Sequence, residues 1–250
     1  MLAGDDRSRF RAPTSTRHPR GEPAHHLDAS SSGEALEAPR GGAVRRANCR
    51  RRPIRGVVGV LFGGTMTIRD IVLIALFGAI IVAFGAVPAI PVAGIPVPIT
   101  LQNLAVMLAG AVLGPKRGAA ATALLILLVA LGLPVLSGGR GGLGVLLGPS
   151  GGFLIGFVAA AYTIGWLVAR FGQGRGPGWQ RAAVVSLACV VGGIGACYAL
   201  GIPWLAFSAG LSLKTAALGS LAFVPGDLAK AVVAGLVAHG VRRVYPIPLK

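Results

Sequence analysis

Acidic residues are scarce in this chain, and most of them lie in its first quarter: of eight Asp and Glu in 250 residues, only Asp70 and Asp227 fall beyond residue 65. That scarcity leaves no second carboxylate beside either one in sequence, and so weakens any reading based on two-carboxylate acid–base chemistry. Cysteine is also rare. Cys49, Cys189 and Cys197 are odd in number and show no CxxC spacing, so neither a zinc site nor a disulfide framework is indicated. The last two read as small apolar residues within a helix. Aromatic residues are not interleaved with the basic ones, so a formal charge of +16 does not here indicate nucleic acid. Charged residues amount to 13% against 54% hydrophobic, with a mean hydropathy of +0.72. A water-soluble domain of this length could not cover itself with so little polar surface, and the composition is that of an integral membrane protein.

What is present divides at residue 66. Residues 1–65 are rich in arginine, lack lysine and show little hydrophobic periodicity, which predicts a disordered extension. Its acids argue against a transit peptide, and the apolar run at 57–62 is too short for a signal segment. MTIRDIVLIALFGAII is a self-sufficient beginning for a membrane protein, so Met66 is read as the true start and 66–250 as the membrane domain.

From there, apolar runs at 71–87, 99–113, 119–136, 153–169, 182–202 and 221–241 predict an all-α bundle of six transmembrane helices. The prolines of PAIPVAGIPVP (Pro88, Pro91, Pro96, Pro98) forbid regular helix between the first two and predict a structured loop. With the amino end inside, Arg69, Lys116, Arg117, Arg170, Arg175, Arg181, Arg242, Arg243 and Lys250 all fall on the cytoplasmic side, and only Arg140 and Lys214 face outward. Both chain ends are then cytoplasmic, in a multi-pass protein of the cell membrane. The proline loop, the loop carrying Arg140 and the head of the last helix share the outer face.

Three stretches carry chemistry. In FVPGDLAKAVVAGLVAHG (223–240), Asp227 and Lys230 stand three apart on one face of a helix opened by Pro225 and Gly226. Ionisable groups at hydrocarbon depth are costly, so the pair is either a neutralising lock on the helix or part of a polar ligand site. In LPVLSGGRGGLGVLLGPSGGF (133–153), Gly139, Gly141 and Gly144 show GxGxxG spacing, but they lie between membrane helices rather than in a strand–turn–helix unit, which rules out the dinucleotide reading. Gly141 and Gly142 follow the loop's one charge, Arg140, which is either a headgroup contact or a ligand cation. In VPITLQNLAVML, Gln102 and Asn103 offer donors and acceptors, to a neighbouring helix or to a ligand. Phe153, Tyr162, Trp204 and Phe207 are apolar-wall candidates or ordinary packing aromatics. Finally, Ala75, Ala79 and Ala83 recur every fourth residue on the first helix, a face along which another helix can approach closely, inside the bundle or from outside it.

The succession VPITLQNLAVMLAGAVLGPKRGA, GLPVLSGGRGGLGVLLGPSGGFLIGF and FVPGDLAKAVVAG resembles the BioY family, the biotin-specific substrate-binding components of energy-coupling-factor vitamin transporters. The likeness runs from Met66 to the carboxyl end. It implies a six-helix S-component bundle that takes up biotin from outside, is not an enzyme, needs no cofactor, and works with a membrane coupling protein and cytoplasmic ATPase subunits docked on the alanine face. Asp227 and Lys230 match the family pattern directly, whereas some members place a polar or basic side chain where this chain has Leu154. Biotin offers an acid tail that wants a cation, a ureido ring that wants donors and acceptors, and an apolar bicycle. Asp227 suits the ureido N–H groups; Lys230 and Arg140 divide the carboxylate and ureido oxygen between them in either order. Two other readings stay open: uptake of a different vitamin, and a membrane enzyme with Asp227 and Lys230 as acid and base.

Overall fold

The structure is a computed structural model, and it describes residues 66–91, 96–172, 174, 177–245 and 248. The extension 1–65 lies outside the described residues, as do Arg175 and Lys250. Helix α1 spans Ile68–Gly85 and begins on a reciprocal cap, in which the Asp70 amide donates to Thr67 Oγ1 (3.3 Å) and the Thr67 amide to Asp70 Oδ2 (3.1 Å). Its buried residues Ile74, Phe77, Gly78, Ile81 and Gly85 recur at helical spacing on one face. Ala75, Ala79 and Ala83 lie on the exposed face with Ile71, Val72 and Leu76.

Helix α2 (Gln102–Leu113) and helix α3 (Pro115–Ala130) are joined by Gly114 alone. Gly114 takes a φ of 87°, which a side chain would resist, and Pro115 opens α3 at a position where its missing N–H costs nothing. The expected start of the third run at 119 is therefore too late, because GPKRG reads as a break but supplies the first turn. Its expected end at 136 is too late as well. Gly132 takes a φ of 88° and Pro134 follows, so the apolar stretch beyond Ala130 is loop. Nearly every residue of α2 is buried, so it is the central rod of the bundle, packed by α1, α3 and later helices on all sides.

A short helix, α4 (Leu143–Leu147), sits in the glycine-rich loop before α5 (Gly151–Phe171). After it, Gly178–Ser208 forms one continuous span: α6 (Gly178–Val190), a π-helical stretch (Val191–Ala196) and α7 (Cys197–Ser208). Pro203 lies inside α7 rather than ending it, a tolerance typical of membrane helices. Helix α8 (Leu213–Ser220) leads through a 3₁₀ turn (Leu221–Phe223) into α9 (Val224–Val244). Among the described residues, four helices are long and apolar enough to cross a membrane: Ile68–Gly85, Gly151–Phe171, Gly178–Ser208 and Leu213–Val244. Cys189 and Cys197 are buried and unbridged.

Polar contacts gather at the two ends of the bundle. At one end Arg117, the third residue of α3, makes a buried ion pair with Asp70 and donates to the carbonyl of Pro248 (2.9 Å), while the Arg69 guanidinium stands 5.1 Å over the Tyr245 ring. The start of α1 and the end of α9 therefore meet on the same side. At the other end, Gln102 Nε2 donates to the carbonyls of Ile81 and Val135, both at 3.2 Å, which ties the start of α2 to the end of α1 and to the loop after α3.

Candidate functional site

In the proline-rich connection Ile90 and Ile99 pair antiparallel through two backbone hydrogen bonds (2.9 and 2.8 Å), and Thr100 follows directly before α2. Since Pro cannot donate, the ladder falls to the isoleucines either side of the prolines. The loop after α3 folds on itself: the Leu136 amide donates to Arg140 O (3.1 Å) and the Gly139 amide to Leu136 O (3.0 Å), with Gly138 and Gly139 at φ of 81° and 66°. This four-residue turn sets Ser137 and Arg140 together, and Arg140 Nε donates to the Ser137 carbonyl at 3.2 Å.

Between these two loops and the heads of α2, α5 and α9 lies an open cleft, about 630 Å³ with the solvent space at its mouth included. Asn103, Arg140, Asp227 and Lys230 all line it, brought in from three separate segments. Asp227 stands in the first turn of α9, where the helix dipole favours an anion. Its Oδ1 accepts from Lys230 Nζ (2.8 Å) and its Oδ2 from the Tyr198 hydroxyl (2.7 Å). Lys230 Nζ also donates to the Thr100 carbonyl at 2.8 Å. Of the three ammonium hydrogens, one remains for a further acceptor. Asn103 is buried with its Oδ1 unpartnered. The apolar wall is aromatic: Phe153 meets Tyr198 and Phe223 edge-on, at centroid distances of 6.0 and 6.4 Å, with Phe157 and Leu154 beside it.

Several sequence expectations fare differently once placed. Gln102 borders the cleft, but its amide hydrogens are spent on Ile81 and Val135, so only its oxygen remains for a ligand. Gly141 and Gly142 lie outside the lining. A Cβ on Gly141 would sit 2.1 Å from Leu133 O, and Gly142 N donates to Val129 O, so both serve the loop's backbone rather than the wall of the cleft. Phe153 is a wall residue. Tyr162 and Phe207 are exposed, and Trp204 donates to the Gly148 carbonyl (2.9 Å) away from the cleft. Tyr198 was not anticipated, because it lies 29 residues from Asp227 in a run that reads only as apolar helix. Thr100, Ser137 and Phe223 do fall within the quoted motifs, where nothing marks them apart from their neighbours.

An apolar helical bundle with a polar-lined, aromatic-walled cleft at its end is the architecture of a membrane protein with room for a small molecule. The chain belongs to the BioY family, whose sequence profile matches residues 58–247. It is 50% identical over 182 residues to the biotin transporter BioY of Rhizobium etli, covering 73% of this chain and 97% of that one. It is also 50% identical over 190 residues to the biotin transporter BioY of Rhodobacter capsulatus, covering 72% and 97%. Among solved structures, the S-component for biotin from an ECF-type ABC transporter superposes with a TM-score of 0.64 at 33% identity, covering 71% of this chain and 95% of the other. The family is one of transporter components rather than enzymes, and its members make this a multi-pass membrane protein.

Proposed function

We propose that this protein binds biotin and serves its uptake across the cytoplasmic membrane as the substrate-binding component of an ECF-type transporter. The observation that carries the reading is the division of charge in the cleft. Lys230 is neutralised by Asp227, whereas Arg140 has no carboxylate partner among the described residues. A ligand that needs one free cation for an acid tail and a neutral donor–acceptor cluster for a ring amide fits that division. Arg140 takes the biotin carboxylate. The ureido N–H groups donate to Asn103 Oδ1 and to the remaining lone pairs of Asp227, the ureido oxygen accepts from the third hydrogen of Lys230, and the bicycle lies against Phe153 and Phe157.

The bundle crosses the membrane six times, through α1, α2, α3, α5, the α6–α7 span and α9. Alternating direction is supported by the pairing of Asp70 with Arg117 at one end and of Gln102 with Ile81 and Val135 at the other. Both ends of the membrane domain are cytoplasmic, and the cleft opens outward. A membrane coupling protein docks on Ala75, Ala79 and Ala83 and links the component to cytoplasmic ATPases.

Equilibrium binding of biotin to the purified protein in detergent tests the reading, with thiamine and riboflavin as competitors. Biotin alone should bind; displacement by either competitor, or no biotin binding at all, sinks it. The assignment of the cations is tested with biotinamide, which lacks the negative charge. Arg140→Gln should weaken biotin much more than biotinamide, and Lys230→Met should weaken both alike; the reverse pattern exchanges the two roles.

A further inference from the structure

Ser137 is 1% exposed, lines the cleft, and its Oγ has no hydrogen-bond partner within the protein. A buried hydroxyl left unpaired is costly, and serine ordinarily finds a carbonyl of its own chain when no other partner exists. Thr122 and Ser220 do this here, donating to Gly118 O (3.0 Å) and Ala216 O (2.8 Å). Ser137 is kept from it by its turn. The two left-handed glycines that follow and the Leu136–Arg140 hydrogen bond hold residue 137 in a fixed orientation, and its own carbonyl is taken by Arg140 Nε. A fixed, dry hydroxyl and a guanidinium without a carboxylate therefore stand side by side at one place in the wall.

We infer that Ser137 is a specificity-determining residue for the ligand's acid tail, its Oγ–H donating to one carboxylate oxygen while Arg140 holds the charge. The neighbouring cation favours that direction, because it draws a carboxylate to the place, and an ionised carboxylate can only accept, so the hydroxyl must donate. The inference rests on the biotin reading above and says which end of the molecule reaches the turn. It also gives Ser137 opposite effects in the two states: it costs stability while the cleft is empty and contributes affinity when the tail is bound.

The test is Ser137→Ala, with Ser137→Cys as a same-sized variant whose thiol is a weak donor, measured in the full-length protein. Biotin binding should weaken by roughly tenfold in Ser137→Ala, as for loss of a hydrogen bond to a charged group, and by less in Ser137→Cys. The loss should be clearly smaller for biotinamide, whose carbonyl is a neutral acceptor. The melting temperature of the ligand-free protein should stay level or rise in Ser137→Ala, since an unpaired buried hydroxyl has been removed. Wild-type affinity for biotin in both variants overturns the inference while leaving the biotin reading intact. Equal losses for acid and amide, with a lowered melting temperature, overturn it in favour of a packing role. Failure of the wild-type protein to bind biotin ends both.

Discussion

At the scale of single residues, the Asp227–Lys230 pair is larger than its i, i+3 spacing implies, because Tyr198 and Thr100 complete it. Both carboxylate oxygens have a donor and two of three ammonium hydrogens have an acceptor, so the buried carboxylate and the partly buried ammonium each have their charge offset. Asp227→Asn keeps the shape but replaces the anion by an amide, and biotin binding should weaken by roughly 1–3 kcal/mol, the cost of a mispaired buried polar contact. Tyr198→Phe leaves Oδ2 one donor short and should weaken biotin by less than Asp227→Asn, read in the same titration. If the pair served only to lock α9, removing both charges would be milder than removing either, since a lone buried charge costs most. A ligand site predicts the opposite: Asp227→Asn with Lys230→Met binds no better than the worse single variant. Full affinity in a folded double variant would reassign the pair to structure.

At the scale of elements, α1 does two things on two faces. Its inner face is held by the ion pair between Asp70 and Arg117, both about 5% exposed. Arg117→Met should lower the melting temperature in detergent, and adding Asp70→Asn should recover part of it, because the single change takes the cation away from a buried carboxylate that keeps only its other contacts, the Thr67 amide among them. If the double variant melts below the single, the pair is not what limits stability. Its outer face presents Ala75, Ala79 and Ala83 among exposed Ile71, Val72 and Leu76. Ala79→Trp, on that open face, should leave biotin binding unchanged and abolish co-purification with a coupling protein; unaltered assembly would count against the alanine face as the dock.

At the scale of the whole molecule, the part shared with the family is residues 58–247. The Rhizobium etli protein is matched over 97% of its own length by 73% of this chain, and the family profile begins at residue 58. Deleting residues 1–57, which precede the profile, should therefore leave insertion and biotin affinity as they are, and a chain that begins at Met66 should do the same although it loses the profile's first eight residues, both checked by detergent extraction and titration; loss of binding would give the deleted part a role in the site. Charge follows the same partition. Arg69, Arg117 and the end of α9 cluster at the end of the bundle away from the cleft, as the distribution of basic residues along the sequence leads one to expect.

The sequence by itself determined the class of the protein. Its apolar runs give membrane helices wherever backbone groups must satisfy one another without water, its prolines forbid helix between the first two runs, and the rarity of charge makes Asp227, Lys230 and Arg140 conspicuous. Three residues that line the cleft were legible for that reason: an ionisable side chain in an apolar background is a signal even before its partners are known. Only the tertiary structure decided the rest. Tyr198 and Ser137 are chemically ordinary in sequence, and they matter because packing sets one against Asp227 and a four-residue turn sets the other beside Arg140. The role of Gln102 was divided by the same cause, since its donors are spent on backbone from two distant segments. Hydropathy does not give the helix limits at Pro115 and Ala130, because it records what a segment dissolves in, whereas φ at Gly114 and Gly132 records where the chain turns.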